Sequence, residues 1–273
     1  MVTWDGAPLV AVEWHEEFSQ PQHENAPDSL TDAFRQAWEL AQRQQTPLSV
    51  VVIAPPSNAP LDDEEIDRAS EAIWHRVDRW LEAAIPGVSA RAVVRTGEPL
   101  AEILDELRQA DPNTCLLVPS ASSQLLTQSR SLVEATDIPV WLRPQPADMP
   151  IFLVPCPAGP ELAPVLSAAV PLVRDLSGRL LLGATIPESA SDSDRERRAS
   201  EIAQTLQQFD YRTIAGGVKI EVVSGDAAAL VRELRFREPV KVVACPPLAE
   251  LEIPWEELSD VSVWFARRGS ALG

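Results

Sequence analysis

The sequence predicts an α/β fold arranged as two successive domains, each an open five-stranded parallel sheet sandwiched between helices. Three features of the chain indicate this: short apolar runs alternate with runs of helical period, the strand-like runs are nearly continuous in Val, Leu and Ile, and the same order of elements occurs twice. Continuous apolar strands are typical of a parallel sheet covered on both faces. A length of 273 residues suffices for two domains of ordinary size.

The first half begins with a strand, alternates strands with helices, and ends on a strand. The runs follow in the order PLVAVEW, SLTDAFRQAWELAQRQQ, PLSVVVIAPP, a long helix, SARAVVRTGE, PLAEILDELRQA, TCLLVPSA, SQLLTQSRSLVEATD and IPVWLRP. The long helix is the clearest element, because Asp62 and Glu65 form a capping-box pattern ahead of apolar residues at helical spacing. Pro86 and Gly87 are expected to end it.

The second half repeats this order after the proline-rich stretch RPQPADMP. Its runs are PIFLVPC, ELAPVLSAAVPLVRDLSG, RLLLGATIP, a charged helix around SDRERRASEIAQTLQQF, VKIEVVSGD, AAALVRELRF, VKVVACPP, a short helix in PWEELSD, and VSVWFARR. A Val pair precedes Gly97 in one half and Gly225 in the other, and an acidic residue and a short apolar run follow each glycine. The predicted domains are residues 1–145 and 149–273.

Several of these motifs resemble the universal stress protein family. LVPCPAGPELAPVLSAAVPLV resembles the opening strand, turn and first helix of that family, VVRTGEPLAEIL its third strand, glycine turn and third helix, and PVWLRP its closing strand. The resemblance implies the strand order 3-2-1-4-5 in each domain. It also implies a family in which some members bind ATP and others do not, and in which dimers commonly form through the last strand.

The resemblance locates a candidate nucleotide site in the first domain. ATP-binding members carry an aspartate at the end of the first strand and a glycine-rich loop after the fourth, at the edge where parallel sheets bind ligands. Here Glu13 stands at the aspartate position, and Ile53, Ser120 and Thr127 are the other candidate contacts. The loop CLLVPSASSQLLTQS contains no glycine, and Pro119 removes one backbone donor. The acidic residues of the first loop would repel a triphosphate: Glu13, Glu16, Glu17, Glu24 and Asp28.

The corresponding loops of the second domain are rich in proline. Pro155, Pro157 and Pro160 crowd its first loop, with Pro157 at the aspartate position, and Pro246 and Pro247 follow its fourth strand. A phosphate cradle needs free backbone N–H groups, which proline lacks. Both nucleotide pockets are therefore interpreted as degenerate, and no cofactor is expected. The alternative is that the first domain retains ATP or AMP through Glu13, Ile53, Ser120 and Thr127.

The last strands of the two halves share a Val-Trp core. One interpretation is a sheet-edge strand with its aromatic packed under a helix. The favoured one is that each edge is covered by its counterpart from the other half, through Val140, Trp141 and Leu142 and through Val263, Trp264 and Phe265, since a bare apolar edge invites aggregation. The predicted architecture is then an internal pseudo-twofold dimer.

Composition and charge narrow the function. The net charge is −18, with 23 acidic and 10 basic residues before position 146, which disfavours binding to nucleic acid or anionic membrane. The absence of a long apolar run or a basic leader predicts a cytoplasmic protein. The three cysteines lack metal or redox spacing and are interpreted as buried thiols. His15 and His23 lie among carboxylates, yet a solvated acidic loop is the favoured interpretation of this group over a metal site.

No catalytic motif is recognisable. Ser122 and Ser123 follow a strand without a glycine-flanked elbow, and the chain has no histidine beyond them. The expected function is therefore that of a non-enzymatic, universal-stress-protein-like regulator that contacts protein partners, with a further homodimer left open. A nucleotide-binding switch is the alternative, and an enzyme would need a polar cluster that sequence spacing does not disclose. The segment from Arg195 to Ser200 is interpreted as a solvated helix face or as a docking patch for an acidic partner.

Overall fold

A computed structural model describes residues 7–20, 25–56, 63–111, 114–145, 148–245, 258 and 261–265. These residues form two compact units, one within Asp5–Pro146 and the other within Ala147–Gly273. Asp62 of the predicted capping box, most of the predicted PWEELSD helix, Pro246, Pro247, His23, Glu24 and the side chain of Cys245 lie outside the described residues. Within the described part, no helix is long and apolar enough to cross a membrane.

The first unit alternates strands and helices as its sequence predicts. Its elements are β1 Pro8–Glu13, α1 Asp28–Gln44, β2 Leu48–Ala54, α2 Asp63–Ala84, β3 Ala90–Thr96, α3 Pro99–Gln109, β4 Cys115–Val118, α4 Ser123–Thr127, α5 Ser129–Ala135 and β5 Val140–Leu142. The strands are all parallel, in the order β3-β2-β1-β4-β5. The one helix predicted after β4 is two short helices, because Gln128 between them leaves the helical region at φ −94° and ψ 13°.

The second unit has the same arrangement of its own strands. Its elements are β6 Ile151–Pro155, α6 Leu162–Asp175, β7 Arg179–Ile186, α7 Asp192–Leu206, β8 Val218–Ser224, α8 Ala227–Arg237, β9 Val240–Cys245 and β10 Ser262–Phe265. All pairings are parallel, in the order β8-β7-β6-β9-β10. In each unit the order reverses beside the first strand, so a crevice is expected at the carboxyl ends of the strands.

The two glycine motifs have the same local structure. Gly97 donates its N–H to the carbonyl oxygen of Ala54 at 3.1 Å, and Gly225 donates to that of Ile186 at 2.9 Å, so each extends the pairing of its unit's third strand with the second. The acidic residue after each glycine then caps the next helix: Glu98 accepts from Ala101 N at 2.9 Å, and Asp226 from Ala229 N at 2.7 Å. The motif therefore encodes a strand end followed by a helix N-cap.

Candidate functional site

The candidate site of the first unit lies where β1 and β4 end. An open cleft of about 800 Å³ borders it, and Ser120 is among the residues that line it. The cleft wall also carries His15, Glu17 and Asp28. This wall has the acidic character predicted from the sequence of the first loop.

Glu13 points into the protein. It ends β1, is only 3% exposed, and its carboxylate accepts hydrogen bonds from the first amides of α4. Gln124 N donates to Oε2 at 3.0 Å, and Leu125 N makes a very short bond to Oε1. The N–H groups at a helix start are the donors that otherwise bind anions, so an internal carboxylate already holds these two.

Two further side chains fasten the loop after β4 to the end of β1. The hydroxyl of buried Ser122 donates to Ala11 O at 3.0 Å and accepts from Glu13 N at 3.2 Å. The ring of His15 donates from Nε2 to Ala121 O at 3.1 Å. The sequence suggested Ser122 only as a nucleophile candidate. In the structure its hydroxyl joins the loop after β4 to the backbone of β1, more than a hundred positions earlier in the chain. No local pattern signals such a contact.

The remaining predicted contacts lie in different places. Ile53 is the register partner of Glu13 in the pairing of β1 with β2. Ile53 is 1% exposed, and its carbonyl oxygen accepts from Trp14 N at 2.8 Å. The hydroxyl of exposed Thr127 donates back to Ser123 O within α4 at 2.9 Å. Ser120 alone of the four lines the open cleft.

The loop after β1 is packed inward by aromatic side chains and held from α2. Trp14, Phe18 and Trp80 form a buried cluster with ring centroids 5.5 to 5.8 Å apart. Arg76 of α2 donates to Phe18 O at 2.7 Å and to Gln20 O at 3.1 Å. The aromatic packing and the hydrogen bonds from Arg76 to backbone carbonyl oxygens together hold the loop after β1 in a single conformation.

In the second unit the loop after the first strand is also held by an arginine from the unit's second helix, as Arg76 holds the loop in the first unit. Arg198 of α7 is 8% exposed and donates to the carbonyl oxygens of Cys156, at 2.9 Å, and Pro157. It also donates to Glu201 Oε2 at 2.6 Å, while Glu201 accepts from Gly159 N at 3.3 Å. The interpretation of this segment as a solvated face is therefore wrong for Arg198. The sequence did contain a signal for this burial: Arg198 lies four and eight residues before Ile202 and Leu206, on the same buried face of α7.

The two cysteines whose side chains are described are buried and free of disulfides. Burial raises the pKa of the Cys115 thiol well above its ordinary value. It raises that of Cys156 to about 12, against the opposing charge of Arg198. Both therefore stay as thiols near neutral pH, which does not suit a nucleophile. Within the described ranges, no three His, Cys, Asp or Glu side chains are grouped to hold a metal ion.

The strand order, with a crevice at its reversal, defines an open parallel α/β protein of the kind that binds ligands at the strand ends. The solved structures that match it include a universal stress protein from Archaeoglobus fulgidus, at 14% identity and a TM-score of 0.59, covering 96% of this chain and 98% of that one. A functionally unknown protein from Pseudomonas aeruginosa matches at 11% identity and 0.56, covering 96% and 93%. A provisionally assigned universal stress protein from the same species matches at 12% and 0.55, covering 96% and 94%.

This chain thus has the universal stress protein fold. The comparison extends over nearly its whole length, as the resemblance of its motifs predicts. No family model matches the sequence, and no curated protein matches it either.

Proposed function

We propose that this chain is a non-catalytic, universal-stress-protein-like regulator that does not bind ATP and acts through protein contacts. The observation that carries the proposal is the carboxylate of Glu13 on the amides of Gln124 and Leu125. A polyphosphate at this edge of the sheet would need those donors, and it would meet a buried negative charge in their place.

The second unit supports the same conclusion by a different arrangement. The guanidinium of Arg198 is bonded to two carbonyl oxygens directly after β6 and to Glu201, so protein groups already use its donors. Pro157 stands between Cys156 and the following turn and has no N–H to offer. Among the described residues, two helix-start amides beside the first strand of one unit and the arginine beside the first strand of the other are thus already bonded within the protein.

Isothermal titration calorimetry of the full chain with magnesium ATP, and separately with AMP, tests the proposal. We expect no saturable binding up to about 1 mM nucleotide. Micromolar binding that is lost in Ser120→Ala/Thr127→Ala would overturn the proposal and establish the nucleotide switch. Ser167→Ala is the matched control, because Ser167 is a half-buried serine of the second unit whose hydroxyl donates to Pro164 O within α6.

A nucleotide switch is the second candidate because the cleft lined by Ser120 is open to solvent and large enough for a small ligand. Its wall carries Glu17 and Asp28, which favour a neutral or cationic group over a triphosphate. AMP, with one phosphate, is the nucleotide that this wall would repel least. The AMP titration therefore decides between the two candidates.

The first protein contact that we propose is between the two halves of the chain itself. At the two ends of the pairing between β4 and β5, Leu116 N bonds to Pro139 O and Arg143 N bonds to Val118 O. The backbone groups of Val140 and Leu142 therefore point away from β4. We propose that Val140, Trp141 and Leu142 pair with Val263, Trp264 and Phe265, so that the second half replaces a homodimer partner at high effective concentration.

Hydrogen exchange measured by NMR tests this pairing. We expect the amides of Val140 and Leu142 to exchange at least about a hundredfold more slowly than those of Ala92 and Val94. The latter two point away from β2 on the outer strand of the same unit, because Gly97 N bonds to Ala54 O. Equal rates at the two edges would disprove the pairing.

A further inference from the structure

The outer strand of the second unit has backbone groups directed away from its sheet. Within the described residues β8 pairs with β7 alone. Leu180 N bonds to Gly217 O, and Gly225 N bonds to Ile186 O. The backbone N–H and C=O groups of the odd-numbered residues of β8 therefore point toward β7. Because successive residues of a strand point to opposite sides, Val218, Ile220, Val222 and Ser224 direct their N–H and C=O groups outward.

This outward edge is the floor of a groove between two helices. The groove has a volume of about 420 Å³, and its lining includes Ile220 to Ser224 together with residues of α7 and α8. The lining follows five consecutive residues of β8, Ile220 to Ser224, which suits one added strand. Adding a strand to a sheet edge is a common form of protein recognition.

Arg195 of α7 closes one end of the edge. Its guanidinium donates to Val222 O at 2.8 Å and to Ser224 Oγ at 3.1 Å. The bond occupies an outward carbonyl oxygen that an incoming strand would need. Natural proteins protect open sheet edges with charged side chains in this way.

The sequence of β8 is complementary to itself when reversed about Ile220. Lys219 and Glu221 flank that residue, and in one strand they already contact each other at 2.8 Å. In an antiparallel pair centred on Ile220, Lys219 of each strand lies opposite Glu221 of the other. The four charges then alternate in sign, which favours the pair. Val218 lies opposite Val222 in the same register.

The direction of the backbone groups agrees with that register. Ile220 lies opposite its own copy, and both direct their N–H and C=O groups outward, as a hydrogen-bonded antiparallel pair requires. Val218 and Val222 form the next such pairs, whereas Lys219 and Glu221 form non-hydrogen-bonded pairs with the closer side chains. A register shifted by one residue would bring inward-facing groups opposite outward-facing ones.

We propose that the outer edge of β8 pairs antiparallel with β8 of a second copy of this chain, centred on Ile220, when Arg195 releases the carbonyl oxygen of Val222. Arg195 thus holds the edge closed in the monomer. The net charge of −18 on each chain opposes long-range approach, so the attraction is confined to the strand and its charge pairs. This proposal is independent of whether the chain binds nucleotide.

Sedimentation of the full-length chain over a concentration series tests the proposal through Arg195→Ala. We expect this variant to dimerise with a dissociation constant at least about tenfold lower than that of the wild type. Circular dichroism checks that each variant is folded. An Arg195→Ala chain that is folded and no more dimeric than the wild type would refute the proposal and leave the edge to a different partner.

A proline substitution identifies the strand that is used. Ile220→Pro removes an outward N–H and leaves the bonds to β7 intact, because proline is tolerated where a strand's N–H does not enter the ladder. Added to Arg195→Ala, it should restore the monomer. Ala92→Pro is the matched control, since Ala92 also directs its N–H outward, on β3. If the control abolishes dimers as well, or Ile220→Pro does not, the assignment to β8 is wrong.

A charge swap tests the register. In the Arg195→Ala background, Lys219→Glu places glutamates opposite glutamates and should weaken dimerisation about tenfold. The double change Lys219→Glu/Glu221→Lys restores opposite charges across the pair and should recover most of that loss. A double variant as weak as the single one would exclude pairing centred on Ile220.

Discussion

Replacing Glu13 by alanine is expected to lower the free energy of unfolding by about 3 kcal/mol, since it removes a buried acceptor shared by two backbone donors. The side chain is 3% exposed, and the amides of Gln124 and Leu125 have bonds to it. The start of α4 would lose both its hydrogen bonds and the negative charge that favours a helix N-terminus.

Urea unfolding followed by circular dichroism measures this loss. Glu16→Ala is the matched control, because Glu16 is the same residue type three positions further along the chain and its side chain is exposed. The control should change the free energy of unfolding by less than about 0.5 kcal/mol. Equal effects of the two substitutions would contradict the structural role of Glu13.

Replacing Arg198 by alanine is expected to cost about 3 kcal/mol in the second unit, because the guanidinium is the donor to two carbonyl oxygens and to Glu201. Removing it leaves buried acceptors without a donor. Arg197→Ala is the control: this neighbouring side chain is 78% exposed and contacts only Asp194 among the described ion pairs. We expect the control to change stability by less than about 0.5 kcal/mol.

Acid titration distinguishes loss of this bond from loss of packing alone. The hydrogen bond from Arg198 holds the pKa of the Glu201 carboxyl below its ordinary value of 4.5. A group with a lowered folded-state pKa stabilises the fold above its unfolded pKa, and this contribution disappears as the pH falls through the folded value. The stability difference between wild type and Arg198→Ala should therefore be constant from pH 7 to about 5 and shrink below about 4.5. A constant difference down to pH 3 would contradict the linkage.

The two units use related means at the end of their first strands. In each, an arginine from the second helix donates to carbonyl oxygens of the loop that follows the first strand, Arg76 in one and Arg198 in the other. In the first unit Glu13 additionally binds the helix amides across the crevice. These contacts hold in place the loops that border the ligand crevice of a protein with this fold.

The fold class was predictable because its signals are local. Apolar strands such as VVVIA, the capped helix after Gly225 and the alternation of continuous apolar runs with runs of helical period each depend on neighbouring residues. The helix break at Gln128 was not predicted, because helical periodicity continues through it. The resemblance of the motifs also placed Glu13 at the end of β1, where the structure has it.

The direction of the Glu13 side chain depended on tertiary structure. A glutamate at a strand end can face a ligand or the protein, and the choice depends on where a helix start more than a hundred residues away comes to lie. The same holds for Arg198, whose charge suggested solvent until its helix face was known to pack on the loop after β6. The sequence by itself determined which elements form and in what order, because hydrophobic period and caps are short-range. Only the folded chain decided how the buried charges are paired, because desolvation makes an ionised side chain bond to the donors or acceptors that the fold brings to it.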